Sequence, residues 1–463
     1  MKNHDKATFW EKAGYGFGDM SSSMFWKIFS YYLPFFYSNV FGLSLAHAGT
    51  LLLITKLYDA VFDPIMGMIA DRTRTRWGMY RPYLLWAALP FAIAGVLTFT
   101  TPDAGYGFKH AFAYVTYIIM MTVYSVINVP YGAMLGVVTP DSREKTVFSS
   151  YRMFFAYGGS FIALAIFEPL LKFFQSSDGV STAASWQYTM AVVGLICALL
   201  FFLCFAMTKE RVKPEASQSG GSSVLKDMKS LVRNVPWWIL LGAGIGVLLF
   251  NSIRGGAAAY YFKDVIGASA IFTCGIFLAV GEVANMLGVA LAVPLSDRIG
   301  KKSSYILALV VAGVLSLFIM FLPVSEPAGL WTLMGLQVLI SVAAGVTLPL
   351  LWSMFADIAD YSEYKNASAS TGLIFSSSSM AQKFGGAFGS ALILWVLAAF
   401  GYDTSENVVQ AQSAITGLKA MMSWIPAAGA FLAAIVVAFY PLTTSKMKEI
   451  SAVLAERRAG KSN

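Results

Sequence analysis

Two acidic residues, Asp59 and Asp63, stand four positions apart inside a long apolar stretch at residues 48–70. On a helix, this spacing places both carboxylates on one face, one turn apart. Two like charges in apolar surroundings repel each other, so a bound monovalent cation, or a proton held by one of them, would neutralise the pair. The residue types and their spacing therefore predict a site for a cation or a proton.

A local ion pair is the structural alternative. Lys56 lies three residues before Asp59 and is in reach of it on a helix, but this pair leaves Asp63 unexplained. Pro64 follows Asp63 directly and removes one helix hydrogen bond. The carbonyl that it frees is either a further cation ligand or only the mark of a kink.

Four basic residues also lie within apolar stretches: Lys27, Arg152, Arg254 and Lys383. Ionisable groups at such positions cost about 2.5–3.5 kcal/mol, so they usually face a cavity or a partner. Arg152 suits sugar hydroxyls or a carboxylate, unless it snorkels to the membrane surface. Lys383 has small neighbours that leave it room to enter a cavity. Lys27 and Arg254 either face a central cavity or pair with a carboxylate that the sequence does not place.

The elements that position these residues follow from composition. The chain is 57% hydrophobic and only 13% charged, with a mean hydropathy of +0.64, whereas a soluble domain carries about 25% charged residues. We therefore predict an all-α membrane protein with twelve transmembrane helices in two six-helix halves. The predicted spans lie near 15–38, 48–70, 82–101, 110–138, 148–170, 186–207, 236–262, 269–296, 303–323, 331–356, 370–400 and 420–442.

The basic residues predict the orientation. Of the 33 Lys and Arg residues, five fall within the predicted spans, four on one set of alternate loops, and the other 24 on the termini and the remaining loops. The positive-inside rule then places both termini in the cytoplasm of a multi-pass protein of the inner (cell) membrane. This asymmetry explains the net charge of +8 without a nucleic-acid partner.

The polar, Gly/Ser-rich segment 209–235 divides the chain. We predict an N-terminal half (1–208), a cytoplasmic linker (209–235), a C-terminal half (236–445) and a cytoplasmic tail (446–463). Both halves carry an Asp-Arg pair after their second span. Such an arrangement matches the major facilitator architecture, which holds its substrate near the bilayer midplane between the halves.

Several segments resemble one family of transporters. They are "YGFGD" (15–19), "KLYDAVFDPIMGMIADRTRTRWGMYRPYLLW" (56–86), "NVPYGAMLGVVTPDSRE" (128–144), "YRMFFA" (151–156), "ADIADYSEYK" (356–365) and "KFGGAF" (383–388). They are similar to blocks of the glycoside–pentoside–hexuronide:cation symporters, and the resemblance covers nearly the whole chain. It implies a sugar substrate and a coupling cation, with no cofactor and with a single chain as the working unit.

The resemblance also implies roles for individual residues. Asp59 and Asp63 would bind the coupling cation with help from Ser125, and Arg152 would contact the sugar. Lys383 would lie near both sites. The substrate-binding residues expected from the resemblance and from the intramembrane charges together are Ser23, Lys27, Tyr124, Asn128, Arg152, Arg254, Ser379 and Lys383.

Three departures from the family pattern leave the ligands open. Phe62 replaces an asparagine before the second aspartate, so the coupling ion is either a proton or sodium. If it is sodium, Asp59 and Asp63 would be metal ligands. Ser23 and Asn128 replace two acidic residues that grip neutral sugars. With Lys27, Arg152, Arg254 and Lys383 nearby, the cavity would then be net positive and suited to an acidic saccharide such as a uronide, with a neutral glycoside as the alternative.

The expected activity is cation-coupled symport of a sugar into the cell by alternating access, in contact with the lipid bilayer. Charged residues of the cytoplasmic loops would form ionic locks in the outward-facing state, with ordinary solvated loops as the alternative. They are Asp71, Arg72, Arg143, Asp297, Arg298, Asp357, Asp360 and Glu363. A lysolipid transporter and an uncoupled sugar facilitator are the rival functions. A membrane enzyme is not expected, because no catalytic motif appears in the short loops.

Overall fold

The computed structural model describes residues 7–139, 142–211, 232–366, 371–405 and 408–460. The helices of the N-terminal half are α1 (Phe9–Tyr31), α2 (Leu45–Arg72), α3 (Arg81–Thr98), α4 (Tyr106–Met134), α5 (Ser142–Gln175) and α6 (Thr182–Met207). Those of the C-terminal half are α7 (Val235–Tyr261), α8 (Cys274–Ile299), α9 (Lys301–Phe318), α10 (Pro327–Asn366), α11 (Thr371–Ala399), α12 (Gln412–Met422) and α13 (Trp424–Ala438), and α14 (Thr444–Gly460) ends the chain. Short helical turns follow three of them: Leu33–Phe35 and Phe36–Val40 after α1, Phe262–Ile266 and Gly267–Ser269 after α7, and Ile319–Phe321 after α9.

Within the described ranges, nine segments are long and apolar enough to cross a membrane: α3 to α10 and the pair α12–α13. The other three long helices, α1, α2 and α11, carry charged residues that include Lys27, Asp59 and Lys383. The all-helical membrane fold is confirmed, whereas the number of twelve spans stays a prediction. Because charges inside a membrane usually serve a function, the three less apolar helices are where a site should be sought.

One end of the helix bundle, here called the basal end, carries the start of α1. Arg211, just after α6, donates a hydrogen bond of 2.8 Å to Glu11 in the first turns of α1. The neighbouring Glu210 accepts three backbone N–H groups, those of residues 79–81. These acceptors satisfy donors at the start of α3 that have no partner within the helix. The contacts hold the end of α6, the start of α1 and the α2–α3 loop at the basal end.

The opposite end, here called the sealed end, joins the two halves. Ser38, beyond α1, shares a hydrogen bond of 2.7 Å with Tyr260 at the end of α7. Asn39 donates to the hydroxyl of Tyr402, beyond α11, over 3.2 Å. Glu168 of α5 accepts the backbone N–H of Gly275 at the start of α8 over 2.9 Å. The two halves therefore close on each other at the sealed end.

Two helix pairs form the seams between the halves: α2 packs against α11, and α5 packs against α8. Gly49, in the first turns of α2, is tight against Trp395, because an added Cβ atom would lie 2.8 Å from the indole nitrogen. Further along α2, toward the basal end, Val61 and Met68 are exposed. The α2–α11 seam is therefore tight toward the sealed end.

Two stretches differ from the predicted spans. The segment expected as one span at 420–442 is two helices, because the backbone of Ser423 leaves helical geometry (φ −121°, ψ −93°) between α12 and α13. The predicted tail forms helix α14, which packs against α10 and buries Ile450 and Leu454. The linker residues 212–231 lie outside the described ranges.

The cysteines are all buried inside the bundle. Cys197, Cys204 and Cys274 are free thiols, and each is at most 5% exposed. They are small apolar side chains of the core.

Candidate functional site

Asp59 and Asp63 meet two further residues at the α2–α11 seam. Lys383 of α11 places its ammonium nitrogen 2.9 Å from Asp59 Oδ2 and also in contact with Asp63 Oδ2. Ser125 of α4 places its hydroxyl oxygen 2.6 Å from Asp59 Oδ1 and 2.6 Å from Asp63 Oδ1. Here this group is called the carboxylate cluster: Asp59, Asp63, Ser125 and Lys383.

The carboxylate cluster has too few protons for its short contacts if both acids are ionised. Ser125 has a single hydroxyl proton, so it donates fully to only one of its two carboxylate neighbours. A proton on the other carboxyl group would supply the second hydrogen bond. Lys383 also balances only one of the two negative charges. The geometry therefore suits one proton shared by the pair, beside one ammonium group.

Lys56 does not form the local ion pair with Asp59 that was the structural alternative. Its ammonium group donates to Ser390 Oγ of α11 over 2.7 Å and to the carbonyl of Gly386 over 3.3 Å. It also lies 5.4 Å from the centre of the Trp26 ring. Lys56 thus ties α2 to α11 through uncharged partners, and Lys383 is the basic residue that meets the acid pair.

A central cavity of about 550 Å³ lies between the halves. This is enough for a small-molecule ligand. Its wall includes six of the residues expected to bind substrate: Ser23, Lys27, Tyr124, Asn128, Arg152 and Lys383. Asp63 is exposed to the cavity, whereas Asp59 is buried behind it with 2% of its surface exposed. The carboxylate cluster therefore forms part of the wall of this cavity.

At one end of the cavity, Arg152 of α5 pairs with Asp19 of α1 over 2.9 Å. The guanidinium carbon lies 5.2 Å from the centre of the Tyr131 ring. Gly159 permits this arrangement, because a Cβ atom there would clash with the backbone carbonyl of Met20 between α5 and α1. Arg152 is thus held in the cavity wall and does not snorkel to the membrane surface.

At another point of the cavity wall, Lys27 of α1 forms an ion pair with Glu282 of α8 and donates to the hydroxyl of Tyr31 over 3.3 Å. Glu282 is buried, with 3% of its surface exposed. Arg254 does not line the central cavity. It lines a small neighbouring pocket of about 30 Å³ and donates to Gln337 Oε1 over 2.8 Å.

The cavity wall carries four basic and three acidic residues, so it keeps a small excess of positive charge, but most of that charge is paired. The charged residues in its wall are Lys27, Lys56, Arg152, Lys383, Asp19, Asp63 and Glu282. Three of these four basic residues contact a carboxylate. Sequence reasoning missed Asp19 and Glu282, the carboxylates that neutralise Arg152 and Lys27. Both lie inside predicted spans. Ionisable residues at such positions usually face a cavity or a partner, and applying this rule to acidic as well as basic residues would have identified them.

Some predicted residues are not placed at the cavity. Within the described residues, no cluster of three or more His, Cys, Asp or Glu side chains forms a metal site. The side chains of Ser379 and Arg143 lie outside the described part of the chain. Of the predicted basal locks, Asp71 accepts a hydrogen bond from Tyr80 in its own half, and Asp357 pairs with Lys301 in its own half. Arg72, Asp297 and Arg298 are exposed, and Asp360 and Glu363 are half-buried. The locks stay a prediction.

The sequence matches the family model described as MFS/sugar transport protein over residues 14–444. The chain is 37% identical to the putative glycoside/cation symporter YagG of Escherichia coli, over 97% of this chain and 95% of that protein. It is 34% identical to the inner membrane symporter YicJ of the same organism, over 96% and 95% of the two chains. It is 32% identical to the isoprimeverose transporter of Lactiplantibacillus pentosus, over 95% and 90%.

The fold has a solved counterpart. The inward-open structure of the xylose transporter XylE from E. coli superposes with a TM-score of 0.59 at 15% identity, and the match covers 96% of this chain and 98% of the other. This likeness establishes the major facilitator fold. The family consists of transporters and not of enzymes. The chain therefore belongs to the MFS/sugar transport proteins, and among them to the glycoside–pentoside–hexuronide:cation symporters.

Proposed function

We propose that the protein imports a sugar or glycoside together with a proton, by alternating access across the inner membrane. The observation that carries the proposal is the carboxylate cluster, in which two aspartates share one serine hydroxyl and one lysine in the wall of a cavity large enough for a sugar. The names of the relatives, a glycoside/cation symporter and an isoprimeverose transporter, support the substrate class.

Three features support a proton over a sodium ion as the coupling ion. The ammonium group of Lys383 already lies against both carboxylates, where a metal cation would bind. Ser125 has one hydroxyl proton for two short carboxylate contacts, so a proton on one carboxyl group would complete the second hydrogen bond. Phe62 stacks on Tyr58, with ring centres 5.7 Å apart, and supplies no oxygen ligand. Oxygen ligands are what sodium, as a hard cation, requires.

Coupling follows from the position of the carboxylate cluster at the α2–α11 seam. A proton shared by Asp59 and Asp63 leaves the pair with one negative charge, which Lys383 balances across the seam. Lys383 also lines the cavity, where a sugar hydroxyl can accept a hydrogen bond from its ammonium group. Because sugar and proton each favour the same state of this seam, each raises the affinity for the other.

The charge distribution supports the orientation. The basal end carries the loops rich in Lys and Arg, so it would face the cytoplasm together with both termini. The sealed end would face outward, and the structure would represent the state that is open to the cytoplasm. The cavity is complete within one chain, which supports a monomer as the working unit in the bilayer.

An uncharged glycoside suits the cavity better than an acidic one. The cations Lys27 and Arg152 already have carboxylate partners, so an incoming anion would pair with either of them only by displacing Glu282 or Asp19. Paired carboxylates and ammonium or guanidinium groups provide the acceptors and donors that sugar hydroxyls need. Asn128, held by Ser22 over 2.6 Å, adds an uncharged amide.

Uptake into proteoliposomes tests the proposal. Purified protein would be supplied with a panel of neutral and uronic saccharides under an imposed proton gradient, an imposed sodium gradient, or neither. We expect uphill accumulation of a neutral glycoside with the proton gradient alone. Accumulation driven only by sodium would overturn the choice of ion, and a preference for uronic saccharides would overturn the choice of substrate. Equal uptake under all three conditions would show that the protein is an uncoupled facilitator.

A further inference from the structure

The central cavity is longer than the contacts around Arg152 require. Asp19 and Lys27 both line it and stand eight residues apart on α1, which corresponds to about 12 Å along the helix axis. Each is one member of an acid–base pair, Asp19 with Arg152 and Lys27 with Glu282. The cavity therefore offers two separate pairs of hydrogen-bonding charges, spaced farther apart than the hydroxyls of a single sugar ring.

The second pair has unused hydrogen-bonding capacity. Among the described residues, Glu282 Oε2 and Arg254 Nε are buried polar atoms without a hydrogen-bond partner. Both residues line the small pocket, whose wall shares Tyr31, Asn251 and Glu282 with the central cavity. A volume of about 30 Å³ is about the share of one water molecule or one hydroxyl group. A buried polar atom that lacks a partner is costly, so a water molecule or a substrate hydroxyl is expected there.

We propose that Glu282 and Arg254 form a second sugar subsite, which binds a hydroxyl of the substrate unit remote from Arg152. This inference rests on the proposed function and specifies its substrate as a glycoside of two linked units. Glu282 accepts a hydrogen bond from the remote hydroxyl, and Arg254 donates one to its oxygen. Lys27 holds the other oxygen of Glu282 and so orients it.

The test compares linked and single sugars. Uptake would be measured in proteoliposomes for three matched pairs: xylose with xylobiose, glucose with cellobiose, and galactose with lactose. We expect the wild type to show a lower KM for at least one disaccharide than for its monosaccharide. Glu282→Gln should raise the KM for that disaccharide about tenfold, the effect of losing one hydrogen bond to a charged group, and the KM for the monosaccharide by less than about threefold.

A double variant separates recognition from structure. Glu282→Gln alone leaves Lys27 without its partner, whereas Lys27→Gln with Glu282→Gln removes both charges and avoids an unpaired buried cation. If the ion pair matters only for folding, the double variant regains the wild-type KM for both sugars, and the second subsite is refuted. If Glu282 binds substrate, the selective loss for the disaccharide persists. Glu326→Gln, in the exposed connection before α10, is the matched control and should change neither KM.

The remaining outcomes distinguish the two proposals. Saturable proton-driven uptake of monosaccharides with no preference for any disaccharide would overturn the second subsite and leave the proposed function standing. A complete lack of saturable uptake for every sugar would overturn the proposed function and the second subsite together.

Discussion

The ammonium group of Lys383 on α11 lies 2.9 Å from the carboxylate of Asp59 on α2, across the seam between the two halves. The residues are 324 positions apart in the chain. A change in the protonation of Asp59 or Asp63 therefore directly alters the ion pair that holds α2 to α11.

Replacing either aspartate by asparagine should abolish uphill accumulation. Asp59→Asn or Asp63→Asn removes one of the groups that take up the coupling proton, so the gradient no longer drives the sugar. Exchange of labelled for unlabelled sugar at equal concentration on both sides should persist, because it needs no net proton movement. The measurement is accumulation against exchange in the same vesicles, and normal accumulation in both variants would refute the assignment of the pair.

Replacing Lys383 by glutamine should change the pH dependence of transport. Without the ammonium group, the two carboxylates repel each other with no nearby cation, so the proton-binding step of the transport cycle changes. We expect the pH profile of proton-driven uptake to differ from that of the wild type, and the maximal rate to fall. An unchanged pH profile in Lys383→Gln would show that the lysine does not act through the aspartates.

Two adjacent glycines of α5 provide a matched pair for packing. A Cβ atom at Gly159 would clash with the carbonyl of Met20, whereas a Cβ atom at Gly158 meets nothing within 4 Å. Gly159→Ala should therefore push α1 away from α5, cost about 1–3 kcal/mol of stability, and separate Arg152 from Asp19. Gly159→Ala should unfold at a lower temperature in detergent and should have a higher KM for sugar. Gly158→Ala should resemble the wild type in both measurements. Equal behaviour of the two variants would contradict the tight α1–α5 contact.

The sealed end should loosen when the hydrogen bond between Ser38 and Tyr260 is removed. Tyr260→Phe deletes the hydroxyl that lies 2.7 Å from Ser38 Oγ. Such a bond contributes about 1 kcal/mol, so the population of outward-open molecules should rise about fivefold. Labelling of a cysteine introduced near Asn39 by a water-soluble thiol reagent would report the change. Tyr305→Phe is the control. It removes the hydroxyl of a buried tyrosine of α9 that has no hydrogen-bond partner among the described residues, so labelling should not change.

The N-terminal segment should be held by Glu144 in a pH-dependent way. Burial alone would raise the pKa of Glu144, but hydrogen bonds from Thr139 and the Ala7 amide, and the charge of Lys12, hold that pKa below its usual 4.5. The stabilisation is therefore fully present above pH 4.5 and is lost as the pH falls through the lowered pKa. Glu144→Gln should unfold at a lower temperature than the wild type at neutral pH, with the difference shrinking in acid. A difference that is constant with pH would contradict this.

The parts of the site that depend on one helix were predictable, and the parts that depend on pairs of helices were not. The spacing of Asp59 and Asp63 placed them on one face of α2, and their apolar setting marked them as a proton or cation site. Spacing alone also offered Lys56 as a partner, because only neighbours within a turn can be judged from sequence. The fold instead directs Lys56 to Ser390 and brings Lys383 to the aspartates.

The same limit explains the charge of the cavity. The sequence could not name the partners of Lys27, Arg152 and Arg254, because these partners lie on other helices, up to 255 residues away. The break at Ser423 was also missed, since no glycine or proline occupies that position. The helical membrane class was predictable throughout, because it follows from composition and from the length of the apolar stretches.

The buried cysteines have a practical consequence. Because Cys197, Cys204 and Cys274 are enclosed by the helices, the native protein offers water-soluble thiol reagents almost nothing to label. Fluorophores or spin labels attached to one cysteine introduced in each half would report distances without prior removal of the natural thiols. Pairs placed at the basal and sealed ends would then record, in the otherwise unaltered protein, which mouth of the cavity widens when sugar or acid is added.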